Sequence, residues 1–374
     1  MATVYSPVNL GKLELPNRFV RSATWEGMAK HDGSCTQALA DLYVRLAQGG
    51  VGLLISSHAY VSKEGQAGPW QLGLHSDDML RGLKDLVGRV HQAGGKIAAQ
   101  LAHAGCAAAS NLSGKQPVGP CHRELEDGSW CRGLEKDEIQ ALARSFALAA
   151  MRAKKTGFDA VQIHAAHGYC LSQFLSPYFN QRDDEYGGDI EGRARIVREV
   201  LQAIKIGAGT EYPVLIKLNA QDFLSPGFSV QDMLEVSRML QEEGIDAVEM
   251  SGGTRLSGEN IPSRTKPIKS AEDEVYYMQE ANQFKQEVDL PLILVGGIRS
   301  PEVAENLVSQ GQVDLISMAR PLVREPDLVQ RWQSGDRRPA ACISDNKCFK
   351  PILNGEGIYC VHSNKGNRKN KSVK

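Results

Sequence analysis

Apolar positions along this chain alternate between two rhythms. Eight short runs are apolar almost without interruption: RFVRSAT, VGLLISSHA, KIAAQLAHAG, DAVQIHAAHG, PVLIKLNAQDF, DAVEMSGG, PLILVGGI and DLISMARPLV. Strands covered on both faces read this way, because neither face has to present polar groups to water. Between them, apolar residues recur with helical period, as in TQALADLYVRLAQGG, SDDMLRGLKDLVGRVHQAGG and EKDEIQALARSFALAAMRAKKTG. The last two close on a glycine suited to a left-handed helix cap. Eight strands alternating with helices through right-handed crossovers predict an α/β fold. The expected architecture is a single (β/α)8 TIM barrel over 1–335, followed over 336–374 by a short cysteine-containing C-terminal extension with a basic, disordered tail. An open doubly wound sheet is the competing reading, but no G-x-G-x-x-G opens a helix after the first strand.

Composition narrows the class. With 374 residues, 42% of them hydrophobic, the chain can bury a large core. A net charge of −1 offers no attraction to a phosphate backbone or an anionic bilayer, so neither nucleic acid nor membrane is expected as a partner. No run reaches the roughly 18 apolar residues of a membrane span, and MATVYSPVNLGKLELPNRF has no secretory-signal pattern. The location expected is therefore cytoplasmic. In that compartment the eight cysteines are expected as thiols or ligands rather than a disulfide frame. Cys106, Cys121 and Cys131, in the loop after the third strand, are expected as free thiols of a lid.

A barrel of this kind places its chemistry at the C-terminal strand ends. Those ends carry Thr24 and Trp25, His58, Gln100 and His103, His164 with His167 and Tyr169, Lys217 and Asn219, Ser251, Gly296 and Gly297, and Ala319 with Arg320. They are mostly hydrogen-bond donors, with no cluster of acids. VGGI bares backbone N–H groups and MAR adds a guanidinium where barrels often bind phosphate, so a phosphate-bearing ligand is expected. His164 and His167 could be two thirds of a zinc site, a clamp for an electron-rich oxygen, or a satisfied turn.

LPNRFVRSAT, QLAHAG, GFDAVQIHAAHGYCLSQFLSPYFNQRDDEYGG, RARIVREV and LVGGI together resemble the old yellow enzyme family of FMN-dependent ene-reductases. The branch is that of the bacterial flavin oxidoreductases and the barrel domain of 2,4-dienoyl-CoA reductase, and the likeness runs over nearly the whole barrel. It implies FMN as cofactor and NAD(P)H as electron donor, with hydride passing by way of flavin N5 to the β-carbon of a carbonyl- or nitro-conjugated alkene. His164 and His167 would donate hydrogen bonds to the substrate oxygen, an oxyanion-type role worth roughly 3–4 kcal/mol per donor. Tyr169 would protonate the α-carbon, since a phenol with a pKa near 10 rests protonated at neutral pH. The resemblance further implies Gln100 at the flavin's pyrimidine edge and Lys217 beside N1 and O2 as a cation that raises its potential. Ser22, Ala23, Thr24, Trp25, His58, Gly296, Gly297, Ala319 and Arg320 would complete the cofactor site, with Trp25 and Gly27 facing substrate. Two departures stand out. Trp25 replaces the family's flavin-tuning Cys or Thr, and His58 replaces a residue that is often small, which implies a reshaped pocket or a shifted potential.

CISDNKCFKPILNGEGIYC holds a second pattern. Relatives that carry a [4Fe-4S] cluster after the barrel use four cysteines in a similar run; Cys342, Cys348 and Cys360 keep three, and Asp345 stands at the fourth. Thiolates are the usual ligands of such clusters. No FAD and NAD domains follow within the 374 residues, so a vestigial or three-thiolate structural element is expected, with no working metal site. The partner expected is a small activated alkene, with a homo-oligomer left open. Two other functions compete: a metal-dependent hydrolase on the same barrel using His164 and His167, and an FMN-binding protein without ene-reductase turnover.

Overall fold

In the computed structural model, residues 2–363 are described. The expected basic tail, NKGNRKNKSVK, lies outside them. Each of the eight apolar runs forms one parallel strand: β1 (Phe19–Arg21), β2 (Leu53–Tyr60), β3 (Ile97–Ala102), β4 (Ala160–Ala165), β5 (Val214–Asn219), β6 (Ala247–Ser251), β7 (Leu292–Val295) and β8 (Leu315–Met318). They pair in sequence order and close into a barrel where β8 meets β1. The fold is therefore the (β/α)8 barrel, and the doubly wound sheet is excluded. Strands β2 to β6 are buried at every residue, which is why their sequences show no polar alternation.

The principal helices between strands are α1 (Gln37–Gln48), α2 (Leu80–Gln92), α3 (Lys136–Thr156), α4 (Ile190–Ala208), α5 (Val230–Glu242), α6 (Met278–Glu287) and α7 (Pro301–Ser309). Their ends follow local chemistry. Glu135 and Glu138 form a capping box at the start of α3, and Gly157, at φ +94°, takes the left-handed position beyond its last turn. At the N-terminal end of the barrel, Leu10, Leu13 and Leu15 of a short hairpin pack with Val20, Leu53, Ala98, Ala160, Leu215, Ala247, Ile293 and Leu315, at least one residue from each strand. That end is a plug of hydrocarbon. Polar side chains of the barrel interior collect at the opposite end.

Two local features position the site. Register slips between Ile55 and His58 on β2, a bulge that re-aims the strand beyond it. Ser56 Oγ accepts from the Gln100 amide at 3.2 Å and the Tyr43 hydroxyl accepts from the Ser57 amide at 2.8 Å, so both bulge residues are tied down. Beside it lies a buried ion pair: Arg21 donates to Glu26 and, at 2.7 Å, to the Ile55 carbonyl, while the Tyr43 hydroxyl donates to Glu26 at 2.8 Å. This cluster joins β1, α1 and the bulge.

The loop after β3 corrects one expectation. Cys106 and Cys131 form a disulfide, with Cα atoms 5.2 Å apart; of the three lid cysteines only Cys121 is free. Strand Trp130–Gly133 pairs with Val118–Gly119 and folds back over the loop, bringing together two thiols separated by 25 positions. Spacing alone does not reveal such a contact. Among the described residues no helix is long and apolar enough to cross a membrane.

Removing Glu26 strands the Arg21 guanidinium in a dry environment. Glu26→Ala is expected to lower unfolding free energy by about 3–5 kcal/mol, measured by urea denaturation; a loss under about 1 kcal/mol would show that water or another group relieves the charge.

Candidate active site at the C-terminal end of the barrel

The floor of the site is a hydrogen-bonded network with no analogue in the apolar end. Lys217 on β5 donates to Ser22 Oγ at 2.7 Å and lies 3.1 Å from Glu249 on β6. Glu249 also accepts from Gln162 on β4 at 2.8 Å and from Ser317 on β8 at 2.7 Å, and Gln162 accepts from Gln100 on β3 at 2.7 Å. All six residues are almost wholly buried. A buried charge is tolerated only when paired and hydrogen-bonded, and these partners supply both conditions. Burial alone would push the Glu249 carboxyl up; Lys217, Gln162, Ser317 and Ser22 reverse this and hold it below the usual range. For Lys217 burial lowers the ammonium's pKa, and Glu249 opposes the fall.

Above the floor, β4 ends in His164, and the chain then turns sharply. His167 sits at φ +65° and Gly168 at φ +76°. A left-handed histidine carries backbone strain of about 1–3 kcal/mol and persists only where neighbours enforce it. Here Asn219 Oδ1 accepts from the His167 amide at 3.2 Å, Ser172 Oγ accepts from Gly168 N at 3.2 Å, and Gln173 Nε2 donates to the Gly168 carbonyl at 2.7 Å. The turn brings the rings together: His164 lies 5.2 Å from His167 and 5.0 Å from Tyr169 between centroids. His167 Nε2 shares a hydrogen bond with Ser251 Oγ at 2.8 Å, and the Tyr169 hydroxyl shares one with His58 Nε2 at 3.2 Å. His164 Nδ1 is buried without a partner.

Burial governs the protonation of these groups. It pushes His164 and His167 well below the ordinary imidazole range, with Lys217 and the other ring nitrogens adding to the effect. Burial, then Lys217, pushes His58 down to about 4. Burial pushes the Tyr169 phenol up to about 12. At neutral pH the cluster is three neutral imidazoles and a protonated phenol.

These residues line one cavity of about 600 Å³. Ser22, Ala23, Thr24, Trp25, His58, Gln100, His164, His167, Tyr169, Lys217, Gly296, Gly297, Ala319 and Arg320, all site residues expected from the sequence, border it together. Others differ. Gly27 is not in the wall: at φ +60° it packs on Ile352, where a Cβ would come within 2.2 Å of that side chain. Asn219 braces the His167 turn, and His103 lines a separate cavity with Glu64 and Lys115. Arg320 Nη1 is committed to the Arg264 and Ser344 carbonyls and to Asn346 Oδ1, so it fastens the C-terminal extension. Beside it, Gly296 at φ +145° and Gly297 at φ +80° present bare backbone; a Cβ at Gly297 would strike the Tyr276 ring at 2.6 Å. Cys342, Ser344 and Phe349 of the extension complete the wall.

Gln162, Glu249 and Ser317 were not anticipated. Each is a polar residue interrupting a mostly apolar strand run, and that interruption was the available signal. Cys342, Cys348 and Cys360 border a separate small cavity of about 30 Å³. Around it, Asp345 accepts from His362 at 2.8 Å and pairs with Lys347 at 3.4 Å, and Arg324 donates to Cys360 Sγ at 3.3 Å. Among the described residues no group of three or more His, Cys, Asp and Glu is arranged to hold a metal ion. Cys342, Asp345, Cys348, Cys360 and His362 line that small cavity together; among the described residues His164 and His167 find no third ligand.

Residues 3–338 match the family model described as NADH:flavin oxidoreductase / NADH oxidase. The chain belongs to that family. It is the old yellow enzyme family, with FMN as cofactor. An NADH oxidase of Thermoanaerobacter brockii is 32% identical, covering 95% of this chain and 57% of the relative. An NADPH dehydrogenase of Bacillus subtilis is 30% identical, covering 86% and 92%. The solved structure of an old yellow enzyme homologue from Zymomonas mobilis aligns with a TM-score of 0.77 at 29% identity, over 90% of this chain and 94% of its own. The chain thus spans little more than half the length of the Thermoanaerobacter relative and nearly all of the Bacillus one.

The buried histidines set a pH dependence. His58 and His103, both near 4, and the more strongly depressed His164 and His167 are neutral in the fold. In an unfolded chain they titrate near 6.5, so the unfolded state binds more protons below that value. Stability is complete above about pH 6.5 and is lost as pH falls toward about 4. The melting temperature is expected to fall steadily from pH 7 to pH 5; a flat profile there would contradict the assignment of neutral, buried rings.

Proposed function

We propose that this old yellow enzyme relative reduces alkenes conjugated to a carbonyl or nitro group, with NAD(P)H as the source of hydride. The observation that carries the reading is the convergence of two neutral imidazoles and a protonated phenol on one cavity floored by a paired ammonium.

The residues present fit FMN. A cavity of about 600 Å³ is in the range of cofactor pockets, roughly 300–1,000 Å³. The bare backbone at Gly296 and Gly297 would receive the phosphate, and Gln100 and Lys217 would meet the pyrimidine edge of the ring. When bound, FMN supplies the two-electron chemistry that links nicotinamide to alkene. The protein supplies position and charge. His164, with an unpartnered Nδ1, and His167, braced by Ser251, would donate to the substrate oxygen and stabilise the negative charge that grows there. Neutral rings suit this task, since they donate without holding a competing counter-ion. Tyr169 would deliver its proton to the α-carbon, and burial ensures that the proton is on the phenol at the start. Trp25 lines the same cavity with its Nε1 buried and unpaired, and it narrows the substrate side relative to a Cys or Thr.

The purified protein should be yellow, with about one noncovalent FMN per chain, and should bleach with NAD(P)H and recover colour with an enone under anaerobic conditions. His164→Ala should slow the enone step by about 10²–10³ and weaken phenol binding while leaving reduction by NAD(P)H within a few-fold of wild type. Colourless protein that takes up no added FMN would overturn the whole reading. Normal reduction with no reoxidation by carbonyl or nitro alkenes would leave a flavin protein without ene-reductase turnover.

A further inference from the structure

We propose that His58 reloads Tyr169 with its proton between turnovers, acting as a relay from solvent to the phenol; this rests on the reading of Tyr169 as the proton donor. Among the described residues, His58 Nε2 is the one hydrogen-bond partner of the Tyr169 hydroxyl, at 3.2 Å. The two rings lie 5.5 Å apart at an interplanar angle of 39°.

Several independent contacts place His58 there. The β2 bulge brings it level with Gln100, and the ties on Ser56 and Ser57 hold that register. Gln71 Nε2 donates to the His58 carbonyl at 2.8 Å, fixing the backbone on the far side. The side chain lines the cavity and keeps 8% of its exposure, in contrast to the fully enclosed interior of the strand before it. The titratable and charged groups that face it are Tyr169 from the turn after β4, His164 at 6.4 Å between centroids, His167, and Lys217 from β5. No carboxylate is among them, so nothing nearby would hold His58 as a cation.

The relay balances with water as the only outside reagent. Tyr169 gives its proton to the substrate carbon and is left as a phenolate in a pocket where burial already penalises charge. His58, with Nε2 protonated, donates to that oxygen. The phenolate takes the Nε2 proton while Nδ1 accepts one from a solvent water, which departs to bulk as hydroxide, so one proton passes from water to Tyr169 and the imidazole ends neutral as its other tautomer. Rotation about the ring bond or exchange with solvent restores the first tautomer. No electron changes hands. A neutral imidazole suits this exchange because neither state before nor after it carries a buried cation.

The test uses the FMN-loaded protein, reduced anaerobically by excess NAD(P)H and mixed with excess enone while NAD(P)H remains in excess, comparing wild type with His58→Gln, which preserves a donor to Tyr169 but cannot exchange one proton for another. In the variant, the first turnover is the reference for the later ones, because Tyr169 enters loaded. Later turnovers should slow by about ten-fold or more, giving a burst. With His58→Ala, added imidazole should restore the later turnovers. A His58→Gln variant that slows the first turnover as much as the later ones, or shows no burst, would assign His58 a packing role and overturn the relay. Tyr169→Phe separates the two levels: if it reduces enone at the wild-type rate, the underlying reading of Tyr169 has failed, whereas an impaired Tyr169→Phe beside an unaffected His58→Gln rejects the relay alone.

Discussion

A lysine and a glutamate buried together at the barrel floor set the terms for the rest of the site. Neither Lys217 nor Glu249 has access to bulk water, and removing either partner would leave the other as an unpaired charge in a low-dielectric interior. The pair therefore requires a surrounding shell, and Ser22, Gln162, Gln100 and Ser317 provide it from the ends or interiors of four other strands. One charge pair thereby fixes the relative positions of most of the barrel's catalytic end. Lys217 borders the cavity and Glu249 does not, so the face presented to a ligand is the cationic one.

The same dryness that makes the pair demanding prepares the groups above it. Burial keeps His164, His167 and His58 neutral and Tyr169 protonated, so the cavity offers donors without fixed charge next to a floor that carries one. That division suits a reaction in which negative charge appears briefly on a substrate oxygen. The strained turn at His167, at φ +65°, is part of the arrangement, and both His167 and Tyr169 line the cavity.

The barrel was legible because its eight strands are mostly apolar runs, buried on both faces and separated from one another by helical periodicity. The strand-end donors were legible for the same reason, since a barrel maps sequence position onto one face. What escaped the sequence depended on contacts between distant segments. Gln162 and Glu249 take on meaning only once β4 and β6 flank β5, which carries Lys217. Cys106 and Cys131 read as separate thiols because their pairing depends on a ribbon folding back. Gly27 read as substrate-facing although its space is filled by Ile352. His58 was marked as a departure, but the bulge that delivers it to Tyr169 leaves no trace in hydrophobic pattern.

The measurement that tests the account most directly is the two-electron reduction potential of bound FMN in wild type and in a Lys217→Met/Glu249→Gln variant, which removes both charges and leaves neither unpaired. If the Lys217 ammonium is the group that meets the flavin, the variant should remain folded and its potential should become more negative by at least about 30 mV, the equivalent of roughly 1.4 kcal/mol for two electrons. An unchanged or more positive potential in a folded, FMN-loaded variant would contradict the claim that this buried pair tunes the cofactor.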